Sequence, residues 1–185
     1  MLARLVLAAL LSAAILARPA GARDPGWRSF GPGGGTVAGL ALDPRDPQVV
    51  YAAAFGDLYA SRDGGQTWSG FALPPPVSAV AVAPSQPATL YAGGAKIFRS
   101  GDGGRSWRTV LDEPLLDVHT LAVTTGHRPV VFALSQNTVR RSADDGRTWT
   151  TPFASDWPVD SLAVDPLTPT VIYVCLLYTS DAADE

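Results

Sequence analysis

Short apolar stretches, punctuated by proline and glycine, recur along the chain in a fixed order. Leu40-Ala41-Leu42, Val80-Ala81-Val82, Leu121-Ala122-Val123 and Leu162-Ala163-Val164 form one series. Val49-Val50-Tyr51, Thr89-Leu90-Tyr91, Val130-Val131-Phe132 and Val171-Ile172-Tyr173 form a second. The third is an octapeptide, present as Ser61 to Trp68, Ser100 to Trp107 and Ser142 to Trp149, whose tryptophans lie 39 and 42 positions apart. Such runs are too short for helices and predict strands. Each unit reads as four of them: a Leu-Ala-Val-like strand, an aromatic-tipped strand such as that around Tyr91, a third strand such as Ile97-Phe98-Arg99-Ser100, and a fourth that begins at the octapeptide tryptophan. Pro-rich turns such as Asp43-Pro44-Arg45-Asp46-Pro47 separate the first strand from the second, because proline lacks a ladder donor and fixes φ. No segment is long enough for a crossover helix, so the strands form antiparallel meanders.

Four antiparallel strands repeated at a period of about 40 residues predict an all-β protein, a β-propeller of four-stranded antiparallel blades. A β-solenoid, with shorter and parallel turns, fits less well. The units run over 36–71, 76–110 and 117–152, and a fourth, incomplete one over 158–174. Trp27 precedes Leu40 by the same 13 positions that separate Trp149 from Leu162, so residues 27–35 read as an orphan fourth strand with a Gly-rich loop. A ring needs ~4–8 blades. Residues 23–174 are therefore expected to be part of a ring, with the missing blades in cis, or to expose blade faces that invite aggregation.

The octapeptides have the form Ser-x-Asp-x-Gly-x-Thr/Ser-Trp, met by Ser61, Asp63, Gly65 and Trp68, by Ser100, Asp102, Gly104 and Trp107, and by Ser142, Asp144, Gly146 and Trp149. The aspartate can accept backbone N–H groups across a tight turn. The glycine suits a left-handed backbone, and the tryptophan buries a large face against a neighbouring sheet. Asp145, standing where the other copies have Gly64 and Gly103, marks a less demanding position. A motif repeated around a ring points in several directions and cannot converge on one substrate, so these aspartates are expected to hold turns rather than a metal or a catalytic centre. The pattern closely resembles the Asp-box, or bacterial neuraminidase repeat. That resemblance, over about 27–174, implies a relation to sialidases, xyloglucan-cleaving hydrolases, sortilin-type receptor domains and the photosystem II assembly factor type. The stretch Trp27 to Leu40 is similar to the opening of the xyloglucanase and sortilin-like groups.

Composition sharpens the picture at the ends. The chain has 185 residues and a formal charge of −3, which argues against a nucleic-acid partner. One cysteine excludes an internal disulfide framework, and two histidines make a His-built metal site improbable, so no metal or cofactor is expected. Arg4, the apolar run Leu5 to Leu16, Pro19 and Ala20-Gly21-Ala22 read as a cleaved signal peptide over 1–22, since ~20 apolar residues are needed to span a bilayer. Cleavage removes Arg4 and Arg18, taking the charge to −5. The product is expected to be exported, periplasmic or secreted, with no membrane attachment. Residues 175–185 resemble translated sequencing-adapter sequence and are expected to be a non-native tail.

In a four-stranded meander the hairpins between strands 2 and 3 and the blade-to-blade loops share one end of the ring, opposite the octapeptides. That end is the expected binding face. Its candidate residues are Phe55, Asp57, Lys96, Asp112, Glu113, Asp117, Asn137, Asp156 and Trp157. Trp157 is the best stacking surface, being additional to the repeat. Glycoside hydrolysis generally needs two flanking carboxylates. The xyloglucanase resemblance implies an Asp four residues after Tyr51, where this chain has Phe55. The sialidase resemblance implies an arginine cluster, whereas Arg99, Arg140 and Arg141 are third-strand residues expected at the octapeptide end. No catalytic residue is assigned. The reading is a non-catalytic scaffold for a protein or glycan, with a glycoside hydrolase fragment as the alternative.

Overall fold

The computed structural model describes residues 31–32, 36–74, 76–113, 117–165, 168 and 170–176. The signal-peptide reading of 1–22, Trp27 and the tail beyond Leu176 lie outside them. No helix occurs among the described residues. β1 (Val37–Leu42), β2 (Val50–Ala54), β3 (Asp57–Ser61) and β4 (Ser69–Phe71) form one antiparallel sheet in sequence order. β5 (Val77–Val82), β6 (Leu90–Gly94), β7 (Ile97–Ser100) and β8 (Arg108–Leu111) form a second. β9 (Val118–Val123), β10 (Val131–Ser135), β11 (Thr138–Ser142) and β12 (Thr150–Ala154) form a third. β13 (Val159–Val164) and β14 (Ile172–Leu176) make a two-stranded fourth, with Cys175 opposite Ser161. The first strands touch one another in succession, β1 on β5, β5 on β9 and β9 on β13. The sheets therefore stand face to face around their first strands, as propeller blades do.

Each joint between blades is an apolar layer. Tyr51, Ala53 and Leu58 of the first sheet meet Val77, Val80 and Val82 of the second. Tyr91, Ile97 and Leu111 meet Val118, Val131 and Ala133. Phe132, Leu134 and Val139 meet Val159, Leu162 and the partly buried Ile172. The second strands β6 and β10 each lie between two such layers, so they are buried along their whole length without alternation. The two outer faces of the row are uncovered. Leu40 and Leu42 are 65% and 62% exposed, whereas Val80 and Val82, which follow in the repeat, are 6% and 9% exposed. Tyr173 is 61% exposed, and its counterparts Tyr51 and Tyr91 are 2% and 0% exposed. The described blades thus form an open arc of a propeller.

Candidate functional site

The octapeptide turns show why their residues are fixed. Ser61 Oγ donates to Asp63 Oδ1 at 2.7 Å and accepts the amide of Gly65 at 2.7 Å. Asp63 in turn accepts the Thr67 amide at 2.9 Å and the Thr67 hydroxyl at 2.6 Å. Asp102 makes the same bonds with Ser100 and Ser106, and Asp144 with Ser142 and Thr148. These donors, led by the Thr or Ser hydroxyl, favour the ionised carboxylate and lower the pKa of Asp63, Asp102 and Asp144 to about 2. The indole of each Trp donates to the carbonyl of its own motif glycine.

The turns also reach the preceding blade. Trp107 meets Phe71 edge-on, with ring centroids 5.8 Å apart. Trp149 Nε1 donates to the Val110 carbonyl at 3.0 Å. Asp145 has φ 62°, in line with Gly64 at 68° and Gly103 at 73°. The position is therefore left-handed in all three copies, and it admits aspartate because a short polar side chain tolerates that region. Arg99, stacked 6.0 Å above the Tyr91 ring, reaches the Asp145 carboxylate at 3.4 Å. Burial raises the Tyr91 hydroxyl pKa, an effect opposed by its bond from Arg99.

The opposite end gathers the loops. Gly56 accepts the Val77 amide at 2.7 Å, and Gln136 accepts the Val159 amide at 3.0 Å. Each of these hairpins is thereby tied to the chain entering the next blade. Phe55 (φ 57°) and Gly56 (φ 82°) form the primed turn that two-residue hairpins favour. Asp57 follows as the first residue of β3, half-buried. Lys96 pairs with Asp112 at 2.9 Å. Glu113 binds Arg140 at 3.1 Å. Arg140 thus departs from its expected place beside the octapeptide. It lies on the face of β11 turned to the second blade, opposite Ala133, and its long side chain reaches the loop after β8.

A recess of about 600 Å³ opens at this end, between the loops around the third blade. Three of the sequence candidates line it: Asp117, Asn137 and Asp156. Asp117 (φ 59°), a second aspartate in the left-handed region, accepts the Ser78 hydroxyl at 2.8 Å and is so held by the neighbouring blade. Asn137 donates to the Ser155 carbonyl and accepts the Ser155 amide at 3.0 Å. Trp157, 49% exposed, stands beside Asp156 in the same loop. Phe55, Asp57, Lys96, Asp112, Glu113 and Trp157 do not line the recess, although Trp157 lies between two residues that do, Asp156 and Pro158. Gln136, in the hairpin loop expected at this end, also lines it, as do His119, to which the sequence assigned no role, and Asp160, which the sequence reading missed. His119 and Asp160 follow the first residue of β9 and β13, so counting one residue into each first strand could have found them. Among the described residues this end carries Asp57, Asp112, Glu113, Asp117, Asp156 and Asp160 against Lys96 and Arg140, a strongly acidic rim. No group of three or more metal-ligating side chains occurs among the described residues.

No family model matches the chain, and no curated protein matches it. Solved structures do. An ancestral GH74 enzyme superposes with TM-score 0.66 at 22% identity, over 80% of this chain and 23% of its own. The GH74 xyloglucanase from Xanthomonas campestris gives 0.58 at 19%, over 68% and 25%. A chain of the nidogen/laminin complex gives 0.60 at 17%, over 75% and 64%. The chain spans about a quarter of the length of the two GH74 structures. These likenesses establish the β-propeller fold.

Proposed function

We propose that the chain belongs to an exported binding propeller, which holds a protein or glycan ligand against its loop end and performs no chemistry on it. The carrying observation is the 600 Å³ recess lined by Asp117, Gln136, Asn137 and Asp156. Its volume suits a ligand site. One of its residues, Asp117, is held in left-handed backbone by the Ser78 hydroxyl of the neighbouring blade. The octapeptide aspartates are consumed by their own turns and offer nothing to a ligand. The nidogen/laminin match supports the reading to the extent that its fold occurs in a protein complex. One observation favours a hydrolase fragment instead: the recess holds three carboxylates, Asp117, Asp156 and Asp160, on a fold shared with GH74 enzymes. Glycan and peptide arrays probed with the wild-type chain, Trp157→Ala and Asp117→Asn test both readings. The binding reading expects a ligand whose affinity drops at least tenfold in either variant with the melting temperature unchanged. Release of reducing ends from xyloglucan, abolished by Asp117→Asn, would establish the hydrolase. Ligands held equally by both variants would overturn the site.

A further inference from the structure

The octapeptide end carries a second recess, of about 370 Å³, where the second and third blades meet. Gln86 comes from the second blade. His127 and Arg128 come from the turn between β9 and β10, and Arg147 from the third octapeptide. That turn is docked onto the second blade by the Gly126 amide, which donates to Ser85 Oγ at 2.8 Å.

The lining separates into spent acceptors and unspent donors. Asp144 has both oxygens occupied by Ser142 and Thr148. Asp145 is held by Arg99 at its carboxylate and by Arg108 at its carbonyl. Among the described residues, by contrast, the exposed Arg128 and Arg147 guanidinium groups have no hydrogen-bond or ion-pair partner, and neither do the His127 ring and the Gln86 side-chain carboxamide. The joint one blade earlier is different, because Arg45 and Arg62 there donate to the Ser85 and Gly103 carbonyls. The positions are also ones the fold leaves open. Asp46 and Gln86 precede the second turn proline where the third blade has Arg128, and Gln66 and Arg105 stand where it has Arg147. Only the third blade pairs two arginines, so the pairing is not a requirement of the turn.

We propose that this recess binds an oxyanion-bearing sugar, a uronic acid or sulfated monosaccharide, with Arg128 and Arg147 on the anionic group and the exposed Ala143 against the ring. Guanidinium forks suit planar or tetrahedral oxyanions, and the volume lies in the range of small-ligand sites. The site is separate from the loop-end recess and stands whether or not that one binds a ligand.

Calorimetric titration of the full chain at low ionic strength with glucuronate, glucose and inorganic sulfate tests it. Glucuronate should bind, more tightly than sulfate and far more tightly than glucose, and should weaken as salt is added. Arg128→Gln/Arg147→Gln should cut glucuronate affinity at least tenfold with the melting temperature unchanged, and Asp117→Asn should not alter it. Glucuronate that fails to bind, or binds the double variant as well as the wild type, overturns the proposal. So does glucose binding equally well. Sulfate binding as tightly as glucuronate reduces the recess to a charged patch and also overturns the sugar assignment.

Discussion

At the scale of single residues, the octapeptide separates backbone demands from steric ones. Gly103 (φ 73°) has nothing within 4 Å of where a Cβ would stand. Gly104 (φ 88°) would place a Cβ 2.5 Å from the Phe71 ring. Gly103→Ala should therefore cost only the left-handed penalty, about 1 kcal/mol. Gly104→Ala should cost more, since the neighbouring blade must also move, and chemical denaturation of the two variants checks the order. The aspartates make a second prediction. Their folded pKa of about 2 lies below the unfolded value of ~3.9. They therefore stabilise the fold above about pH 4, and that contribution fades as pH falls toward 2. The melting temperature should fall across this window. A variant with Asn at positions 63, 102 and 144 should start lower and lose this acid limb.

At the scale of elements, the turn after each third strand is also a joint between blades. Trp149 donates to the Val110 carbonyl, and the Gly146 Cβ position lies 2.7 Å from Val110 Cβ. Trp149→Phe keeps much of the apolar surface and removes the donor, leaving the Val110 carbonyl without it. That variant should lose about 1 kcal/mol, and Trp149→Ala about 3 kcal/mol, both read by thermal unfolding. The strand-turn-strand grammar was legible in sequence because proline, glycine and aromatic positions each answer a local backbone or packing demand. The loop recess was only half legible. Asp117, Asn137 and Asp156 stand in loops that topology places together. His119 and Asp160 sit inside strands, one residue past the loops that enter β9 and β13, where strand residues were not counted as rim. Arg140 was misplaced for a related reason, since a long side chain is located by its tip and not by its register.

At the scale of the molecule, the arc is open at both faces and its two ends differ in charge. The loop end is acidic, whereas arginines and aspartates together line the recesses of the octapeptide end. Leu40, Leu42 and Tyr173 occupy positions that interior blades bury. Exposed apolar surface of this kind drives association. Leu40→Ser/Leu42→Ser should reduce self-association in sedimentation velocity while leaving the melting temperature nearly unchanged. Val80→Ser/Val82→Ser, at the equivalent buried positions, should unfold the second blade's joint. Opposite outcomes at repeat-equivalent residues follow only if the sheets stack in the order described.

The central claim is that the repeated tryptophan turns fasten each blade to the one before it. A double-mutant cycle on Phe71→Ala and Trp107→Ala addresses it directly, because Phe71 ends β4 of the first blade and Trp107 belongs to the octapeptide turn of the second, with their rings 5.8 Å apart. The account predicts a favourable coupling of about 1 kcal/mol between them in equilibrium unfolding. Strictly additive losses would mean that the rings do not meet, and would contradict it.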